Sequence, residues 1–264
     1  MKLKRTVLLA TLVVFFAIPN HAFAHFQLLY TEAVNLEKPT TMDMRLVFGH
    51  PLENSHVMNM EKPLEFFYIH KGKKVNLLSG LQSIMWQGPS NKAAAYGTQV
   101  KAKRNGDYTF VLVPAPYYEK SEDIYIQQIT KSFVNRGGFP SGWNEPLGLK
   151  TEIVPLNKPT NVLVGSTFSG VVLSNGKPVA EAELEIEWIN GSPDLKKNRF
   201  GANRIDPPPT SIVAITDVNG VFTFGIPKAG DWGFAALGVG PDKTYKSKEL
   251  SQDAVIWIRA SDLK

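Results

Sequence analysis

Short runs rich in β-branched and aromatic residues recur along this chain with turn signals between them. No segment of a dozen residues holds an apolar stripe at helical spacing. Residues 42–48, 64–69, 108–113 and 124–129 are such runs, and Asn105-Gly106-Asp107 ahead of the third is a hairpin signal. Residues 182–188 read Ala-Glu-Leu-Glu-Ile-Glu-Trp, an alternation that predicts a strand with one buried face and one wet face. The 21 glycines and 18 prolines are spread along the chain, as many short strands and turns require. Strands at this spacing predict an all-β protein built from sandwiches.

The pattern breaks at Val154-Pro-Leu-Asn-Lys-Pro159 and then restarts. This predicts two β-sandwich domains in tandem, 25–156 and 160–264, that fold independently. The polar stretch 192–210, ending in Pro207-Pro208-Pro209, reads as a long surface loop. In the second half, Gly170-Val-Val, Gly176-Lys-Pro-Val-Ala-Glu-Ala182, Thr216-Asp-Val-Asn-Gly-Val-Phe222 and Pro227-Lys-Ala-Gly230 resemble a transthyretin-like or carboxypeptidase-regulatory-like sandwich. Asp217-Val-Asn219 has too few acids after it for a calcium loop and reads as a hairpin turn.

Residues 1–24 have the order of a secretory signal peptide: a basic start, a greasy run, and Ala22-Phe-Ala24 as the small-x-small cleavage site. The apolar run is shorter than the roughly 20 residues a membrane span needs. Cleavage after Ala24 makes His25 the N-terminus, with an α-amine and a ring nitrogen able to close one chelate ring. That amine has an ordinary pKa of roughly 7.7–8.0, so a transition metal displaces its proton near neutrality. The expected location is the periplasm, and the expected mature chain is not membrane-spanning.

Removing Lys2, Lys4 and Arg5 lowers the formal charge from +5 to +2, which is no footprint for nucleic acid. With no cysteine, the chain has neither disulfides nor thiolate ligands. Any metal site must use His, carboxylate, Met or backbone donors, which suits Ni, Co, Cu or Zn. No hydrolytic triad, phosphate loop or nucleophilic elbow is present, so no enzyme is expected.

Four histidines survive cleavage: His25, His50, His56 and His70. His50 follows an apolar strand in Phe48-Gly-His-Pro51, and His56 lies six residues on in the same polar loop. Taken singly, each is an ordinary turn or surface residue. As a set, His25, His50 and His56 supply three or four nitrogens at one strand end, the kind of place where sites are built. Glu53, Met58 and Met60 flank the loop as weaker ligand candidates, with core packing the commoner use of Met. His70, at a strand end before a basic turn, reads as structural or exposed.

Ala24-His25-Phe26, Phe48-Gly-His-Pro51, Ala115-Pro-Tyr-Tyr-Glu-Lys-Ser-Glu-Asp123, Thr130-Lys131, Gly148-Leu-Lys-Thr-Glu-Ile-Val-Pro-Leu156 and Ala229-Gly-Asp-Trp-Gly-Phe-Ala-Ala-Leu237 resemble a family of periplasmic accessory proteins. That family, classed as a domain of unknown function, is associated with energy-coupling-factor nickel and cobalt transporters. The resemblance implies capture of Ni(II) or Co(II) for an inner-membrane importer, whose subunits would be the partners. It carries ligand roles to His25 and His50, while His56 rests on spacing. Where many relatives have a histidine before the Thr-Lys pair, this chain reads Gln127-Gln128. Two other readings stay open: a copper protein, carrier or oxidative enzyme, with a terminal-histidine brace, and a metal-free two-sandwich interaction protein.

Overall fold

A computed structural model describes residues 25–263. The segment expected to be a signal peptide, residues 1–24, lies outside the described residues. The all-β expectation holds: apart from one short 3-10 turn, Leu78–Gly80, the regular elements among the described residues are strands. No helix among them is long and apolar enough to cross a membrane.

Three sheets form. The first runs Phe26–Tyr30, Thr40–Gly49, Lys92–Ala102, Gln82–Gln87, Arg199–Asn203, Gly191–Asp194, with the short Val57–Met58 also on Thr40–Gly49. The second is the widest. Its path is Ile212–Ile215, Glu183–Trp188, Gly230–Ala236, Lys248–Ser261, Ile124–Arg136, Gly106–Val113, Glu65–His70, Lys73–Asn76. The third is Thr151–Pro155, Thr167–Ser174 and Lys177–Pro178, with Val221–Gly225 on Thr167–Ser174.

The second sheet crosses the boundary expected between the two units. Ile124–Arg136, from the first half, pairs in parallel with Lys248–Ser261, from the second, in register from Tyr125↔Leu250 to Lys131↔Ile256. Two strands so distant in sequence make one continuous ladder. Thr151–Pro155, read from sequence as part of the first half, pairs with Thr167–Ser174 of the second. A core cluster also draws on both halves: Phe26, Val47 and Trp86 pack with Leu195, Phe200 and Trp257.

Residues 192–210 are not simply a surface loop. Gly191–Asp194 and Arg199–Asn203 form a hairpin that extends the first sheet, where Arg199 pairs with Gln87. Arg45 fixes its tip, donating from Nε to Asn198 Oδ1 at 2.8 Å and from Nη2 to the Leu195 carbonyl at 2.8 Å. Composition concealed this because the hairpin's apolar contribution is small: Leu195 and Phe200 alone reach the shared core.

The alternation over 182–188 also turns out differently. Leu184, Ile186 and Trp188 enter the second-half core as expected. Yet Glu185 and Glu187, on the supposed wet face, are only 7% and 5% exposed. Both faces of this strand are covered over 184–188; at Glu187 the 50–54 loop folds over it, and the Leu52 amide donates to the carboxylate at 2.7 Å. Burial pushes the Glu187 carboxyl well above its ordinary range. Burial, aided by the charge of Glu183, raises Glu185 to about 7.

A carboxyl whose folded pKa is raised favours the folded state below its unfolded value and loses that contribution as pH rises through the folded one. Glu185 therefore works against the fold above about pH 7. The shift from 4.5 corresponds to about 3 kcal/mol at most, at about 1.36 kcal/mol per pH unit. Glu185→Gln is expected to raise stability at pH 8 and leave it nearly unchanged at pH 4. Urea titrations across that range, with equal effects at both ends, would refute this assignment.

Candidate functional site

Register explains how the three histidines meet. Phe26 pairs with Gly49 at the end of the Phe26–Tyr30/Thr40–Gly49 ladder, so the preceding His25 stands opposite the following His50. On the other side Gly49 pairs with Val57, and the His50 amide donates to the His56 carbonyl at 3.4 Å. Three adjacent chain segments thus present one imidazole each at the same level. The His25 and His50 ring centroids are 4.7 Å apart, and those of His50 and His56 are 4.4 Å apart. His50 is central and 2% exposed, His25 is half-buried and His56 is exposed. Burial first, then the charges of His25 and His56, pushes the His50 imidazole down to about 3, so it is neutral throughout the physiological range.

Neighbours hold the cluster in place. Gln128 grips the strand start, donating from Nε2 to the His25 carbonyl at 2.6 Å and accepting from the Gln27 amide at 2.7 Å. Its Nε2 also donates to Asp253 at 3.2 Å. His25 Nε2 lies 3.1 Å from a Glu119 carboxylate oxygen. Burial alone would raise Glu119, but hydrogen bonds from Ser121 and the charge of His25 leave it lowered. Phe48 and Tyr117 stack edgewise at 5.2 Å and wall the site.

The loop carrying His50 and His56 is docked by the second half of the chain. The Asn190 amide donates to the Pro51 carbonyl at 3.0 Å, and Asn190 Nδ2 donates to the Leu52 carbonyl at 2.9 Å. Asn54, in the left-handed region at φ 52°, donates to the Gly201 carbonyl and to Asn203 Oδ1 at 2.9 and 2.7 Å. Gly191 makes room for that contact, since a Cβ there would run into the Asn54 side chain.

The remaining candidates fall elsewhere. Met58 and Met60 are buried in the first-half core, and Met60 Sδ accepts a 3.5 Å hydrogen bond from Gln27. Glu53 accepts from Ser55 Oγ at 3.2 Å. His70 stacks on Tyr108 at 4.2 Å and bonds the Asp107 carbonyl through Nδ1 at 2.9 Å, a structural role. Asp217 accepts from the Asn219 and Val221 amides and closes a turn.

Glu119, Gln128, Glu187 and Asn190 were not singled out as site-forming from sequence. Glu119 lies in the Tyr-Tyr-Glu motif that carries the family resemblance, and Gln128 stands at the histidine-to-glutamine departure. Both therefore had a signal. Glu187 and Asn190 had none, because their role depends on a contact more than 130 residues away.

Fold and site together define an all-β protein with a cluster of imidazoles at one end of its first sheet. Residues 22–240 match the family described as Domain of unknown function (DUF4198), and the chain belongs to that family. No curated protein matches it. Among solved structures it is similar to the D0-D1 domain of Intimin, at 11% identity over 89% of this chain and 100% of that one, with a TM-score of 0.21. It is also similar to the Yersinia pseudotuberculosis adhesin InvE, at 12% identity over 88% of this chain and 58% of that one, with a TM-score of 0.24. Clostridium thermocellum CbhA fibronectin(III)-like modules match at 8% identity over 88% and 95%, with a TM-score of 0.21.

Proposed function

We propose that this protein captures Ni(II) or Co(II) in the periplasm and passes it to an inner-membrane importer. The observation that carries this reading is the contiguous row of His25, His50 and His56 rings at three adjacent segment ends. Imidazole is a good ligand for both metals, and His50 needs no deprotonation to serve. Among the described residues, no three His, Cys, Asp or Glu side chains already form a metal cage. Binding would thus require the His25 ring to exchange Glu119 for metal, and the α-amine becomes a donor only once the chain starts at His25.

The same amine–imidazole set suits Cu(II), which the Irving–Williams order places above nickel in a test tube. Copper binding alone therefore does not separate the two readings. The experiment is calorimetric nickel titration of the chain beginning at His25. His50→Ala should weaken binding at least tenfold, one extra residue before His25 should also weaken it, and His70→Ala should leave it within twofold. Affinity should fall from pH 7.5 to 5.5, because the amine and the imidazoles must be unprotonated to bind. His50, neutral down to about pH 3, contributes none of that fall. Equal affinity for wild type, His50→Ala and the extended form would leave the metal-free interaction protein as the better reading.

A further inference from the structure

Beside the imidazoles lies a cleft of about 290 Å³ lined by Phe48, Met60, Tyr117, Tyr118, Tyr125 and Lys246. The Tyr118 and Tyr125 rings are tilted 44° to one another with centroids 5.1 Å apart, and Tyr125 meets Tyr245 edge-on at 4.9 Å. Lys246 and Ser247 are the two central residues of the tight turn that pairs Tyr245 with Lys248. Both have positive φ, at 47° and 66°. That turn conformation ordinarily selects Asn-Gly, so a lysine is held here against backbone preference. Lys248 is paired with Asp123. Lys246 makes no ion pair among the described residues.

The chemistry of the lining narrows the ligand. Ammonium groups already sit over the tyrosine rings, Lys248 at 5.3 Å from Tyr118 and Lys246 at 5.9 Å from Tyr125, so a cationic ligand would meet like charge. The two glutamine amides lining this cleft are engaged within the protein, and Asn59 is engaged through its oxygen, which leaves few side-chain amides for a strongly hydroxylated ligand. Gln27 Nε2 bonds the Leu28 and Val47 carbonyls, Gln128 bonds His25 and Gln27, and Asn59 accepts from Ala94. What remains is aromatic surface, apolar floor, the Lys246 ammonium, Asn59 Nδ2 and one carboxylate, Glu61.

We propose that this cleft binds a small planar aromatic carboxylate, its ring packed against the tyrosines that line the cleft and its carboxylate at Lys246. This inference does not rest on the metal reading. The test is titration of the chain beginning at His25, in the presence of a chelator, with naphthoate, naphthalenemethanol and cyclohexanecarboxylate. Naphthoate should bind at least tenfold tighter than the neutral ring or the non-aromatic acid. Tyr125→Ala and Lys246→Gln should each weaken it tenfold or more. Tyr125→Phe, which keeps the ring and guards against a folding artefact, should stay within threefold, as should His50→Ala. Equal affinity for the three probes would overturn the proposal. So would naphthoate binding that survives both Tyr125→Ala and Lys246→Gln, or that is lost in His50→Ala.

Discussion

Glu152→Ala is expected to destabilise the protein by about 3–5 kcal/mol, the usual cost of removing one partner of a buried ion pair. Glu152 and Lys131 are each 1% exposed and 2.7 Å apart. The carboxylate also accepts from the backbone amides of Leu147, Gly148 and Leu149, between 2.9 and 3.4 Å. Truncation would leave those three donors without it and strand an ammonium whose pKa burial already lowers. It would also release the 147–149 segment that approaches the joint between the halves. Replacing both partners with Met removes the charges together, so the double variant should be more stable than Glu152→Ala. Urea unfolding measures both. A loss below about 1 kcal/mol for the single variant would contradict the account.

Trp257→Ala is expected to cost a similar amount, about 3–5 kcal/mol, as for other large buried aromatics. The indole lies in the core shared by the two halves and meets Phe26 edge-on at 5.8 Å. It packs flush against Gly233, where a Cβ would approach its ring to 2.7 Å. Its Nε1 donates to the Gln27 carbonyl at 2.8 Å, next to the strand start that carries His25. Trp257→Phe keeps most of the packing and loses that hydrogen bond, a loss of about 0.5–1.5 kcal/mol. Because the halves share this core and the parallel ladder, calorimetry should show one unfolding transition in the wild type. Two separate transitions would mean the shared ladder does not couple them.

Much of the molecule was legible in the sequence, for a local reason. Strand formation follows from side-chain periodicity and turn chemistry, both of which act within a few residues. Segments such as 42–48 and 108–113, and the turn at 105–107, therefore declared themselves. His25 and His50 also stood out, through the cleavage pattern and the Gly-His-Pro turn. Whether those two residues and His56 meet was beyond a local signal. That rests on the Phe26↔Gly49 and Gly49↔Val57 register.

Other features were decided by the tertiary structure alone. The wet face expected for Glu185 and Glu187 became interior, at Glu187 because the 50–54 loop covers it, and no pattern within 182–188 encodes what another segment will do. The 191–203 hairpin read as loop because its strands are short and polar and gain their order by joining a sheet begun at Phe26, far earlier in the chain. The Pro155–Pro159 break marks a change of sheet, yet strands of both halves pair in one sheet through Ile124–Arg136 and Lys248–Ser261. Periodicity along one strand specifies which side chains face a core. It does not specify which distant strand supplies the other half of that core, because pairing energy depends on partners brought together only in the folded chain.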